Sequence, residues 1–82
     1  MIRVKVLYWA QAKEAAGNKE EYYELKEGER IEELIEKILE RHPALGSISK
    51  SVRIAINGEI ISNSSYLKEG DLVALLPPFA GG

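Results

Sequence analysis

The 82-residue sequence contains no cysteine. That excludes disulfides, thiolate metal sites and a cysteine nucleophile, and it fits a reducing compartment. It has a single histidine, His42, and no other candidate ligand stands at metal-site spacing from it, so no metal site is expected. No apolar run approaches the roughly 20 residues of a membrane-spanning helix. The N-terminus opens straight into an alternating pattern with no leader-like segment, so a cytoplasmic protein is expected. Excess charge is also lacking. The 13 acidic and 11 basic side chains leave a net charge of −2, and the basic residues are interspersed with acids rather than gathered into a nucleic-acid-binding stripe. A chain this short builds one small core and leaves little room for a deep substrate pocket beside it.

What the sequence does have is clear periodicity. Ile2 to Trp9 alternates, with Ile2, Val4, Val6 and Tyr8 on one face and Arg3, Lys5, Leu7 and Trp9 on the other. Gln11 to Ala16 favours one or two helical turns and meets a stop at Gly17-Asn18. Glu21 to Leu25 is a second strand with Tyr23 and Leu25 inward. Ile31, Leu34, Ile35, Ile38 and Leu39 mark an amphipathic helix that Pro43 ends near His42. Arg30 sits at its start in place of a capping Ser, Thr or Asp. Glu33 and Lys37 are spaced for an ion pair, while Glu32, Glu33, Glu36 and Glu40 form a solvated acidic face. His42 is expected at the surface, near the negative helix end.

Val52, Ile54 and Ile56 alternate again and lead into Asn57-Gly58, a type I′ hairpin signal, with Glu59 to Ser62 as the returning strand. Leu72 to Leu76 is nearly continuous apolar, as a strand covered on both faces would be. The order β-α-β-α-β-β-β predicts an α+β fold, a mixed sheet with one main helix packed on one face. Strands one and two are expected to pair antiparallel, and the last strand to lie centrally beside strand one.

After Leu76 the sequence reads Pro77-Pro78-Phe79-Ala80-Gly81-Gly82. Two prolines end ladder pairing and favour a stiff exit. Six extended residues reach about 20 Å. Two glycines give a tip slender enough for a narrow channel. The expected division is a domain over 1–76 and a functional tail over 77–82. The tail's reactive group is the Gly82 carboxylate, which ATP can activate as an acyl-adenylate and a sulfur nucleophile can convert to a thiocarboxylate. If the first and last strands run parallel, Trp9 and Leu76 lie at the end from which the tail departs. Leu7 and Trp9 then belong either to a docking patch beside the tail, with Phe79 as a further anchor, or to a second small core under the Gln11–Ala16 helix.

Leu75 to Gly82, the opening Val4 to Gln11 with Lys13-Glu14 and Gly17, and Gly70 to Ala74 together resemble the small subunits of molybdopterin synthase. These form part of the sulfur-carrier branch of the ubiquitin-like β-grasp family, and the resemblance spans the whole chain. It implies that Gly82 bears the thiocarboxylate, that Gly81 keeps the tip slender, and that Leu7, Trp9, Leu76, Pro77, Pro78, Phe79 and Ala80 meet partners. Those partners are a large catalytic subunit, in a heterotetramer, and an adenylyltransferase resembling ubiquitin-activating enzymes that spends the ATP. The resemblance implies no bound cofactor, and catalytic groups supplied by the partners, since no residue here is a plausible general base near Gly82. Other expectations for a Gly-Gly carrier are sulfur delivery to thiamine or tRNA, and attachment to proteins as a modifier.

Overall fold

A computed structural model describes residues 1–61 and 64–77. The elements are β1 (Ile2–Tyr8), α1 (Gln11–Ala16), β2 (Glu20–Leu25), α2 (Ile31–Arg41), a 3₁₀ turn (Pro43–Ser47), β3 (Arg53–Ile56), β4 (Glu59–Ile61) and β5 (Leu72–Leu76). One five-stranded sheet has the order β2-β1-β5-β3-β4. β1 pairs antiparallel with β2 and parallel with β5, while β3 pairs antiparallel with both β4 and β5. This is the expected β-grasp arrangement. The 3₁₀ turn is an addition: Pro43 stops α2 but suits the first turn of a new helix, where its missing N–H costs nothing.

The core lies between one face of the sheet and α2. Val4, Val6 and Tyr8 of β1, Tyr23 and Leu25 of β2, and Val73 and Leu75 of β5 meet Ile31, Leu34 and Ile38 of α2, with Leu45 and Leu67 closing the ends. Ala12 and Ala16 of α1 join this same cluster. No second core forms under α1 among the described residues. The sequence also suggested that β5 is covered on both faces. It is covered on one: Val73 and Leu75 are buried, while Leu72 on the other face is 38% exposed.

The start of α2 shows how the fold manages without a capping side chain. Arginine has no acceptor to offer, and none of its nitrogens caps the helix. Glu33 reaches back to take the Arg30 N–H at 2.6 Å, and the Ser65 carbonyl accepts the Ile31 N–H at 2.9 Å. The strand-like segment around Tyr66 is held there by the Leu67 N–H on the Glu29 carbonyl, and by the Arg30 guanidinium, which lies over the Tyr66 ring and bonds its hydroxyl at 2.7 Å. Glu33 is thereby committed to the helix start, and the expected Glu33–Lys37 ion pair is absent among the described residues.

His42 is not the surface residue expected from its place after α2. Its side chain is 12% exposed, and Nε2 lies 2.7 Å from Glu21 Oε1. An ionised carboxylate only accepts, so Nε2 carries the proton. Glu21 also accepts from the Tyr8 hydroxyl at 2.8 Å, the Tyr23 hydroxyl at 3.0 Å and the Asn18 amide at 3.0 Å. One carboxylate therefore ties β1, β2 and the end of α2 together. Burial favours its neutral form, but the hydrogen bonds from His42, Tyr8 and Tyr23 outweigh that, and the pKa lies below the ordinary carboxylate range. Burial first, then the bonds to Tyr23 and Glu21, push the Tyr8 hydroxyl far above its usual range.

With the folded pKa of Glu21 below the unfolded one, its stabilisation is complete above the ordinary value of about 4.3 and is lost as pH falls through the folded value. Glu21→Gln should cost about 1–3 kcal/mol at neutral pH, the range for a buried partner removed. It should also lose less further stability than the wild type as pH drops below about 4. Thermal melts across that interval check this, and parallel acid limbs in the two proteins would contradict it.

Candidate functional site

The face of the sheet turned away from α2 carries the site. The chain has one long helix, and one helix covers one face of a five-stranded sheet. The pairing register places Leu7 beside Ala74, Ala74 beside Ala55, and Ala55 beside Ile60, in a single row across four strands. Leu72 and Leu76 flank this row along β5. Leu7, Ala74 and Leu76 are half-buried, Ala55 is buried beneath its neighbours, and Ile60 is 57% exposed. Charged and polar groups frame the apolar strip: Lys5 bonded to Glu20 at 3.1 Å on one side, Arg53 beside Leu76 on the other. Scattered exposed apolar residues are ordinary, but a contiguous strip with a polar rim marks an interaction surface.

The strip ends where the tail begins. Tyr8 pairs with Leu75 in parallel register, and the Trp9 N–H bonds the Leu75 carbonyl at 3.2 Å. Leu76 is the last ladder residue of β5, facing Arg53, and the half-buried Pro77 follows outside the ladder. Trp9 stands just past the last residue of β1 and is 53% exposed, on the elbow that leads into α1 rather than in the strand itself. Of the residues expected at the site, the structure brings Leu7, Trp9, Leu76 and Pro77 to one end and face of the sheet. Pro78, Phe79, Ala80, Gly81 and Gly82 lie outside the described residues.

Ala10 shapes the elbow. Its φ of 51° and ψ of −122° form a conformation that glycine adopts freely and alanine does not. The cost is about 1–3 kcal/mol. The surrounding bonds enforce it: the Trp9 carbonyl accepts the Ala12 N–H at 3.0 Å, and the Ala10 carbonyl accepts the Glu14 N–H at 3.1 Å.

The sequence reading did not assign Ile60, Leu72, Ala74 or Ala55 to the site. The signal was available in the alternation of Leu72, Ala74 and Leu76 against Val73 and Leu75, combined with the lack of a second long helix. Among the described residues there is no metal-ligating cluster and no helix long and apolar enough to cross a membrane.

Comparison with known proteins agrees with this geometry. Residues 6–82 match the model of the ThiS family. A molybdopterin synthase sulfur carrier subunit of Chlamydomonas reinhardtii is 41% identical over 83 residues, covering 99% of this chain and 100% of the relative. The chain belongs to the ThiS family, among its molybdopterin synthase sulfur carriers. A Pyrococcus furiosus protein assigned as molybdopterin converting factor subunit 1 superposes with a TM-score of 0.87 at 38% identity, over 96% of this chain and 100% of that one. Small archaeal modifier protein 1 of Methanosarcina acetivorans gives 0.81 at 30% identity, over 100% and 98%. A chain in the complex of molybdopterin-converting factor subunits 1 and 2 from Helicobacter pylori gives 0.74 at 27% identity, over 99% and 100%. ThiS-family membership of this kind makes the chain a carrier subunit that is not catalytic alone.

Ile60→Glu tests the exposed strip. The side chain is more than half in solvent, so stability should change by no more than about 0.5 kcal/mol. Affinity for the large synthase subunit, measured by titration calorimetry, should fall by more than about 1 kcal/mol, because a charge would be driven into an apolar contact. Unchanged affinity would remove the outer face from the docking surface.

Proposed function

We propose that this chain carries sulfur as a thiocarboxylate on Gly82 and delivers it within molybdopterin synthase. One observation supports this above the others: the last strand ends at Leu76 beside the exposed apolar strip, so a partner docked on that strip receives whatever follows Pro77. An adenylyltransferase activates the Gly82 carboxylate with ATP. The acyl-adenylate is electrophilic where the carboxylate was not, and a sulfur nucleophile displaces AMP. The large subunit then docks on the strip, takes the tail into its own active site, and sulfur passes to cyclic pyranopterin monophosphate to build the dithiolene of molybdopterin.

The division of labour follows from the chain's chemistry. It contributes a rigid body, an apolar docking face and a reach of up to about 20 Å from the sheet. Pro77 and Pro78 favour an extended exit, Gly81 keeps the tip slender, and Phe79 offers the partner a further apolar anchor. Leu7, Trp9 and Leu76 are the described contacts at the root of the tail. The acid–base groups belong to the two partners, and ATP is consumed by the activating one. A complex of two large and two small subunits in the cytoplasm is the setting in which this carrier works.

A second reading has its own support, the 30% identity with an archaeal modifier protein over nearly the whole of both chains. The same activated Gly82 could be captured by a lysine amine instead of a sulfur nucleophile.

Intact-mass measurement separates these outcomes. Incubated with its activating enzyme, ATP and a sulfur source, the chain should gain the mass of one oxygen replaced by sulfur. Deleting Gly82 should abolish that gain, with the melting temperature unchanged, because Leu76 is the last ladder residue. No mass gain in the intact chain would overturn the carrier reading, and lysine-linked adducts in its place would favour the modifier.

A further inference from the structure

Asn57 is the first central residue of the turn between β3 and β4, and Gly58 follows it. The turn needs positive φ at that position, which asparagine, aspartate and glycine tolerate best. This turn asks for more. The Asn57 N–H donates to the Leu72 carbonyl at 2.8 Å, its Oδ1 accepts the Leu72 N–H at 2.9 Å, and its Nδ2 donates to Asp71 Oδ1 at 2.9 Å. Glycine has no group for the last two bonds. An aspartate could accept from Leu72, but when ionised it could not donate, and it would set a second carboxylate against Asp71. Of the three, only asparagine serves both the turn and the start of β5.

Asparagine before glycine also carries a chemical liability. The Gly58 amide nitrogen can attack the side-chain carbonyl carbon of Asn57. A C–N bond forms, the carboxamide nitrogen leaves as ammonia with the proton given up by the amide, and a succinimide ring results. Water then opens the ring to aspartate or isoaspartate. Glycine has no side chain to obstruct the attack. Both residues are exposed, so water is at hand, and only geometry can protect them. Asp71 supplies that geometry. It is buried, and its second oxygen holds the Lys68 N–H at 2.8 Å. Both ends of the Asn57 carboxamide are therefore gripped by a fixed part of the chain. The group must release Asp71 and the Leu72 N–H before its carbon can turn to Gly58.

We infer that Asn57 is a latent deamidation site held shut by the fold, with Asp71 as its restraint, and that conversion there unfastens the hairpin from β5. The product lacks both the donor and the neutrality that the contact with Asp71 requires. Isoaspartate also adds a methylene to the backbone of the turn. Because β5 leads to the tail, the damage strikes the anchored end of the strand that presents it.

The full chain, held in mildly alkaline buffer well below its melting temperature, tests this. Intact mass follows the replacement of an amide NH₂ by OH, and peptide mapping separates Asn57 from Asn18 and Asn63. Conversion at Asn57 should run at least about tenfold slower than in a synthetic peptide of residues 54–60, the factor that two hydrogen bonds of ordinary net strength supply together. Asp71→Ala should bring the rate most of the way to that of the peptide. Asp71→Asn removes the charge but keeps an acceptor, and should stay near the wild-type rate. Asn57→Asp, the product made directly, should melt roughly 5 °C or more below the wild type at neutral pH, and the gap should narrow below about pH 4 as the carboxylates neutralise. Conversion of the wild type at the rate of the peptide would overturn the proposal. So would an Asp71→Ala chain that converts as slowly as the wild type, or an Asp71→Asn chain that converts as fast as Asp71→Ala. An Asn57→Asp chain as stable as the wild type would overturn the consequence drawn for the hairpin.

Discussion

Because β1 and β5 run parallel side by side at the middle of the sheet, both strands finish at the same end. The other features of the site follow from that pairing. Parallel neighbours cannot be joined by a tight turn, so the chain between them must cross over, and α2 makes that crossing on one face. The opposite face is left without a helix, and its apolar row from Leu7 to Ile60 stays open. The tail leaves from the strand that lies at the centre of that row. A carrier needs a surface to be held by and a reactive end within reach of the holder, and one strand pairing provides both.

The buried polar contacts keep this frame rigid where it matters. Glu21, bonded to Tyr8, Tyr23 and His42, fixes the end of β1 against β2 and α2, directly behind the elbow that carries Trp9. At the opposite end of β5, the Asn57 carboxamide donates to Asp71 at 2.9 Å and accepts the Leu72 N–H at 2.9 Å, while Asp71 also takes the Lys68 N–H at 2.8 Å. The hairpin turn is thus fastened to the start of the last strand. Among the described residues no buried side-chain nitrogen or oxygen lacks a partner, which matters because an unsatisfied buried acceptor costs more than a made bond gains.

Much of this was legible in the sequence, for physical reasons. Period-two alternation in Ile2 to Tyr8 and the i, i+3, i+4 pattern from Ile31 to Leu39 are direct consequences of backbone geometry. Asn57-Gly58 adopts positive φ at both residues, 52° and 89°, as the type I′ turn requires. The central placing of β5 beside β1 followed from its apolar character, and the structure adds that the two run parallel. What failed did so where distant parts of the chain decide the outcome. His42 stands after a helix, where exposure is the rule, and only folding brings Glu21 to it. Arg30 looked like a missing cap, yet a carbonyl 35 residues later in the sequence fills the role. The apolar run of β5 suggested two covered faces, but a continuous run is equally the mark of a strand with one face reserved for a partner. The strain at Ala10 left no sequence signal, since nothing about an alanine announces positive φ.

The central claim is that the terminal glycine carries sulfur and that the body of the domain serves to present it. Single-turnover transfer tests this most directly: the thiocarboxylate form of the chain, prepared in advance, mixed with the large subunit and cyclic pyranopterin monophosphate with no other sulfur source present. The account predicts dithiolene formation at the expense of the chain's sulfur, with each chain returning to the mass of its carboxylate form. Product formed while the thiocarboxylate mass persists, or loss of sulfur from the chain with no product, would contradict it.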